Sequence, residues 1–110
     1  MPLTKEGKLS NCLIESNCAL VEWNFRNVDE IYERLIIIAS KLPRTEVLEN
    51  TGTYWHGICR SLIFRFPDDL EILKLSKIGI IQVRSASRYG LGDLGVNTNR
   101  INQLYTQLRN

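Results

Sequence analysis

The residues of this sequence best suited to chemistry are arginines and carboxylates in its second half. Arg84 and Arg88 end one β-forming segment, and Asp69 and Glu71 lie one strand repeat apart in the segment before it. A guanidinium group offers a planar, two-pronged set of donors that matches a carboxylate or a phosphate. The pattern therefore has two interpretations: a ladder of ion pairs on a sheet, or an arginine-lined site for a small anion.

Strand register predicts which of these groups meet. Pairing that turns the apolar residues of both segments toward a core places Glu71 opposite Arg84 on the other face. Asp69 then lies diagonally between Arg84 and Arg88, within reach of long side chains. As an exposed ladder, each pair would contribute only about 0–1 kcal/mol to stability. This register also pairs Ile72 with Val83 and Leu70 with Ser85.

A glycine-rich segment follows, and Gly90, Gly92 and Gly95 match the spacing G-x-G-x-x-G. A dinucleotide site needs a further parallel strand and an acidic residue ~20 positions on, and no such segment follows here, so we do not expect one. A helix start with glycines before it still offers N–H donors and a positive dipole end to a small anion. The predicted ligand-binding residues are Arg84, Arg88, Gly90, Asp93, Gly95, Asn97 and Arg100, with Asp69 and Glu71 as ion-pair partners.

Catalysis is a weaker interpretation. An enzyme would draw on His56 and on the carboxylates, but no spacing brings a base, an orienting partner and a pocket together. The neighbouring arginines also favour ionised carboxylates over a shared proton. We therefore predict no catalytic residue. The carboxylates considered are Asp68, Asp69, Glu71 and Asp93.

The three cysteines are an odd number, which argues against a full disulfide framework. Cys12 and Cys18 are close enough to form a disulfide, in an oxidising compartment only. Cys59 is typical of a small buried apolar residue. Together with His56 the cysteines do not follow a usual zinc-finger spacing, so neither a metal nor another cofactor is predicted.

Length and charge exclude several partners. With 110 residues and 44% hydrophobic residues, the chain predicts one domain over 1–110, with an irregular leading segment over 1–18. A net charge of +2 does not favour nucleic acid. No run approaches the ~20 apolar residues of a membrane helix, so no membrane insertion is expected. The absence of an apolar leader favours a cytoplasmic location.

Periodicity predicts an α+β fold with the order β-α-β-β-β-β-α. The first helix is capped by Asn27 with Glu30 and stopped by Pro43, and the second begins at an Asn97 cap. Short connections predict a single antiparallel sheet of about five strands with both helices on one face. The predicted strands are Leu20–Phe25, Thr45–Thr51, Thr53–Phe66, Leu70–Leu75 and Ile80–Arg88, with a tight turn over Pro67–Asp69.

The second face of this sheet would then be open to solvent or to a protein partner. Trp55, Cys59 and Ile63 are expected on it, which gives a third interpretation, a protein-interaction or scaffold domain. A non-catalytic module for a small anion remains the first.

The segment from residue 81 to residue 101 carries a family resemblance. It reads IQVRSASR at 81–88, and continues with YG, D, GVN and RI up to residue 101. With LPRT at 42–45, this string resembles the signature of the domain-of-unknown-function 1499 family, over about residues 12 to 108. The resemblance implies no established activity. Members of the family commonly carry a leader for the bacterial envelope or for plastids, and this sequence shows none, so the resemblance adds those compartments as an alternative to the cytoplasm. The family often begins with C-P-x-x-P-N-C, where Leu13 and Ser16 stand here in place of the prolines.

Overall fold

The computed structural model describes residues 7–13, 17–88 and 95–109. Its elements confirm the predicted order β-α-β-β-β-β-α, with a short 3-10 turn at Ser76–Ile78 before the last strand. They are β1 (Cys18–Asn24), α1 (Val28–Ser40), β2 (Thr45–Asn50), β3 (Tyr54–Arg60), β4 (Pro67–Leu75), β5 (Ile80–Ser87) and α2 (Val96–Arg109).

The strands form one antiparallel five-stranded sheet in the order β1-β5-β4-β3-β2, so the predicted fold class is confirmed. Both helices pack on one face, which we call the helix face, and we call the other the far face. No helix within the described ranges is long and apolar enough to cross a membrane.

The core lies between the helices and the sheet. The stripe of α1 buries Ile31, Leu35 and Ala39, and α2 contributes Ile101 and Leu104. These side chains recur at helical spacing, which is why each helix must bury one face. The sheet meets them with Trp55, Cys59, Leu70, Ile72, Ile81 and Val83.

Two predicted boundaries are wrong around β3. The strand predicted over Thr53–Phe66 ends at Arg60, and Ser61–Phe66 is a loop. Pro67–Asp69 is not a turn, because β4 begins at Pro67. The first residue of a strand is one of the few strand positions where a proline, lacking an N–H, is tolerated.

The predicted caps also need correction. Asn97 does not cap α2; it is the second residue of that helix, and it is fully buried. Asn27 does occupy the N-cap position of α1, but its side chain makes no capping hydrogen bond. Its Nδ2 instead donates to Glu30 Oε2 at 2.8 Å.

The far face is not the open surface that the sequence suggested. Leu9 packs there in a small apolar cluster with Tyr54 and Leu73, and its N–H donates to Gln82 Oε1 at 2.8 Å. Two residues expected on this face, Trp55 and Cys59, belong instead to the core on the helix face. The third, Ile63, lies in the loop after β3.

Candidate functional site

The predicted pairing of β4 with β5 is confirmed on the far face. Glu71 lies opposite Arg84 in the register, and Arg84 Nη1 donates to Glu71 Oε1 at 3.1 Å. The hydroxyl of Tyr54, on β3, donates to Glu71 Oε2 at 2.7 Å. Burial, together with this hydrogen bond to a carboxylate, raises the pKa of Tyr54. Both oxygens of Glu71 are thus engaged by donors from the two neighbouring strands.

Asp69 forms the second half of this arrangement. Arg88 grips it with two hydrogen bonds, Nε to Oδ2 at 2.8 Å and Nη2 to Oδ1 at 2.9 Å. His56 Nε2 lies 2.7 Å from Oδ1. Burial raises the pKa of Asp69, but the hydrogen bonds from His56 and Arg88 outweigh it and hold that pKa well below its usual range. Tyr54, His56, Asp69, Glu71, Arg84 and Arg88 together form what we call the far-face network.

The far-face network differs from the exposed ladder that the sequence suggested. Glu71 has 0% of its surface exposed, and the side chain of Arg84 is mostly buried. A charge hidden in this way must be matched by a partner, since an unmatched one is costly. Each carboxylate here is bound by an arginine, and one donor, Arg84 Nε, is buried without a partner in the described part of the chain.

A separate polar cluster lies on the helix face, around the buried side chain of Asn97. Its Oδ1 accepts hydrogen bonds from Ser85 Oγ at 2.6 Å and from Arg100 Nη1 at 2.8 Å. Its Nδ2 donates to Ser87 Oγ and to the carbonyl of Asn17, both at 3.0 Å. Asn97 therefore joins α2, β5 and the residue before β1, which explains why it is buried instead of capping the helix.

Arg100 completes this cluster. Its Nη2 lies 3.0 Å from Asp68 Oδ2, and its Nη1 also donates to Ser85 Oγ at 2.9 Å. Asp68 points to the helix face, because it is one strand position away from Asp69. Two adjacent aspartates thus bind arginines on opposite sides of the sheet.

The predicted ligand-binding residues consequently fall into separate groups. Arg84 and Arg88 are together on the far face, whereas Asn97 and Arg100 are together on the helix face. Gly95 directly precedes α2 and has a φ of 82°, a left-handed conformation that glycine adopts without strain. Gly90 and Asp93 lie outside the described residues.

A cavity of about 280 Å³ adjoins Arg100 on the helix face. It lies where α1 ends, β3 ends and α2 begins, and we call it the arginine cavity. Arg44, Arg60 and Arg100 are among its lining residues, and no acidic residue of the described ranges lines it. The start of α2, at Val96 and Asn99, also lines it and directs the positive end of the helix dipole toward it. The remaining lining residues are Leu42, Pro43, Cys59 and Gln103.

Arg44 and Arg60 are joined through their main chains, because Arg60 N–H donates to the Arg44 carbonyl at 3.1 Å. Arg44 Nε donates to the Arg60 carbonyl at 3.0 Å, which leaves its two terminal amino groups without a partner among the described residues. Arg60 approaches one acid, Glu46, at 3.6 Å, which is too long for a good hydrogen bond. These two arginines are thus less satisfied than Arg84, Arg88 or Arg100.

Sequence reasoning missed Arg44 and Arg60 as site residues. They are distant in sequence and share no motif, and pairing of β2 with β3 brings them together, since Thr45 lies opposite Cys59. Their positions could have indicated this. Arg44 directly precedes β2 and Arg60 ends β3, and a short turn connects these two strands, so both arginines lie at the same end of the pair.

Two of the three cysteines form a disulfide, as their spacing in the sequence allows, and the third is free. Cys12 and Cys18 are joined by a disulfide, with their Cα atoms 5.6 Å apart, and Cys59 is free and buried. Burial raises the pKa of the Cys59 thiol, so it is not activated as a thiolate nucleophile. Among the residues that the structure places, no group of three or more histidine, cysteine or acidic side chains is arranged to hold a metal ion.

Comparison with known proteins identifies the family. The model of the family described as "Protein of unknown function (DUF1499)" matches residues 8–108. The chain belongs to this family. The match to DUF1499 covers nearly the whole chain and includes both the far-face network and the arginine cavity. No curated protein matches the chain, and the description of DUF1499 names no activity, so function has to be argued from the site itself.

Proposed function

We propose that this DUF1499 chain is a non-catalytic binding module for a small anionic ligand, and that the arginine cavity is its site. The observation that carries the proposal is the pair Arg44 and Arg60, which line the cavity and are held more loosely than Arg84 and Arg88. The only carboxylate near either of them in the described part of the chain is Glu46, 3.6 Å from Arg60. Such groups bind phosphate or carboxylate through paired N–H donors.

The electrostatics of the cavity support an anion. Its described lining contains three arginines and no acid, and the start of α2 adds a partial positive charge. Arg100 is already bound to Asp68, so it mainly fixes the position of the wall. Arg44 and Arg60 are the residues expected to contact the ligand directly.

The volume of the cavity supports a small ligand. At about 280 Å³ it lies just below the ~300 Å³ at which sites for drug-sized ligands begin. Inorganic phosphate or a short phosphorylated or carboxylated compound fits this size better than a nucleotide does. The proposed anion site therefore does not require a dinucleotide-binding fold.

Thermal unfolding in inorganic phosphate tests the proposal. A ligand that binds only the native state raises its stability by mass action, so the melting temperature should rise with phosphate relative to chloride at equal ionic strength. Arg60→Gln should remove most of this rise, because it removes one of the two loosely held guanidinium groups while leaving the main chain and Asp68 intact.

Arg26→Gln is the matched control. It changes the net charge equally, but Arg26 is exposed and follows β1 at the opposite end of the sheet. The control should keep the full phosphate response. An equal rise in melting temperature in Arg60→Gln and Arg26→Gln would mean that phosphate acts through the overall charge of the protein. No rise in the unmodified protein would contradict the proposed phosphate site.

A further inference from the structure

The loop between β3 and β4 exposes four large apolar side chains in six residues. Leu62, Ile63, Phe64 and Phe66 are 70%, 79%, 72% and 53% exposed, respectively. The rings of Phe64 and Phe66 stack at 5.4 Å. We call Ser61–Phe66 the apolar loop. Scattered exposed apolar residues are normal, but a contiguous group of this kind marks a contact surface.

The apolar loop has a defined base. Ser61 N–H donates to the Phe66 carbonyl at 3.1 Å, and Phe66 N–H donates to Ser61 Oγ at 2.9 Å. These bonds close the loop at its neck and hold the apolar side chains beyond the end of the sheet. The loop therefore presents a projecting tip and not a groove.

The tip lies beside the arginine cavity, because Ser61 directly follows Arg60, which lines that cavity. Arg65 adds a further exposed guanidinium within the loop, and Arg44 lies beside Arg60 through their main-chain bond. A projecting apolar tip with one arginine within it and two at its base matches a surface that is apolar inside and negatively charged outside. A bilayer containing anionic phospholipid has this chemistry.

We propose that the apolar loop docks on an anionic lipid surface and that the arginine cavity receives the phosphate of a lipid headgroup. Leu62, Ile63, Phe64 and Phe66 enter the interface between headgroups and acyl chains, while Arg44, Arg60 and Arg65 contact the phosphates. This proposal deepens the proposed function and rests on it, since it names the lipid headgroup as the source of the anion. Docking of this kind requires only that the tip of the loop enters the membrane interface. It does not require a membrane-spanning helix, which the hydropathy of the sequence does not predict.

Co-sedimentation with vesicles tests the proposal on the full chain. The vesicles are phosphatidylcholine alone and phosphatidylcholine mixed with phosphatidylglycerol. We expect binding to the mixed vesicles, weak binding to phosphatidylcholine, and a decrease as salt is added. The double variant Phe64→Ser, Phe66→Ser should bind the mixed vesicles at least tenfold more weakly, because two large apolar groups no longer leave water. Arg65→Gln should weaken binding roughly fivefold.

Two controls lie at other places on the surface. Ile78→Ser removes an exposed apolar side chain, 56% exposed, from the 3-10 turn at the opposite end of β4. Arg26→Gln removes a charge from that same end. Both should bind the mixed vesicles as the unmodified protein does. All variants change exposed side chains, so unaltered thermal unfolding in chloride verifies that each one folds.

The outcomes separate the two proposals. Loss of vesicle binding in the phenylalanine variant, with its response to inorganic phosphate retained, supports lipid docking through the loop. Absence of vesicle binding in the unmodified protein, with the phosphate response present, overturns lipid docking and leaves the anion site standing. Equal losses in the phenylalanine variant and in Ile78→Ser also overturn it. So does light scattering that shows a dimer dependent on Phe64 and Phe66, since the loop would then contact a second copy of the chain.

Discussion

Two groups of arginines in this protein, Arg84 with Arg88 and Arg44 with Arg60, differ in what their guanidinium groups meet. On the far face, Arg84 and Arg88 are bound to Glu71 and Asp69 across neighbouring strands. At the end of the sheet, Arg44 and Arg60 line a cavity to which no acidic residue of the described ranges contributes. Arginine content alone therefore does not identify an anion site; the supply of carboxylates around each arginine decides.

The difference follows from strand position. Glu71 and Arg84, at the centre of the far-face network, lie in the middle of β4 and β5, where cross-strand partners are directly opposite. Arg44 and Arg60 lie where β2 begins and β3 ends, so they have fewer cross-strand partners. The middle of the sheet thus stabilises the fold, and its end offers donors to a ligand.

The largest effect is expected at Glu71. Glu71→Leu leaves Arg84 charged and buried beside an apolar group, and the free energy of unfolding should fall by about 3–5 kcal/mol. Urea denaturation monitored by circular dichroism measures it. The triple variant Tyr54→Phe, Glu71→Leu, Arg84→Met should recover most of the loss, because an apolar replacement removes both charges together. A loss below about 1 kcal/mol in Glu71→Leu would place this pair with ordinary surface ion pairs.

The far-face pairing could be predicted because the register is fixed by burial. A slip of one residue would turn Leu70 and Ile72 away from the core, so Glu71 opposite Arg84 followed from the apolar pattern alone. The covering of that face could not be predicted in the same way. Leu9 is a single apolar residue in a polar segment, with no periodicity to reveal that it packs against Tyr54.

The segment Ser61–Phe66 shows where local pattern fails. Its β-branched and aromatic residues are typical of a strand, and Thr53–Phe66 was therefore predicted as one long strand. It contains none of the Gly, Pro, Asn or Asp residues that usually mark a turn. Its sequence therefore does not reveal that its apolar side chains are exposed. Similarly, Arg44 and Arg60 become neighbours only through the pairing of β2 with β3, so the cavity required tertiary structure.

An effect of intermediate size is expected from Asp69 on the free energy of unfolding at acidic pH. The pKa of Asp69 is lowered in the folded state, so below its unfolded pKa of about 3.9 the unfolded chain binds a proton that the native protein does not. Stability due to this group is present above that pH and is lost as pH falls, by at most about 1.4 kcal/mol per pH unit. Urea denaturation at successive pH values should show a shallower acid decline in Asp69→Asn. Identical declines would mean that His56 and Arg88 do not hold this carboxylate ionised.

The smallest effects on stability separate the two arginine groups most directly. Arg88 is partly exposed, so Arg88→Gln should lower the free energy of unfolding by about 1 kcal/mol at most, and Arg60→Gln should change it by only about 0.5 kcal/mol. The effect of inorganic phosphate on the melting temperature should rank the two variants the other way round. Arg88→Gln should keep the rise in melting temperature, and Arg60→Gln should lose it. Measuring both quantities on both variants distinguishes an arginine that supports the fold from one that binds a ligand. If Arg88→Gln lost the phosphate response and Arg60→Gln kept it, the anion would belong to the far-face network, and the contrast between the two arginine groups would be reversed.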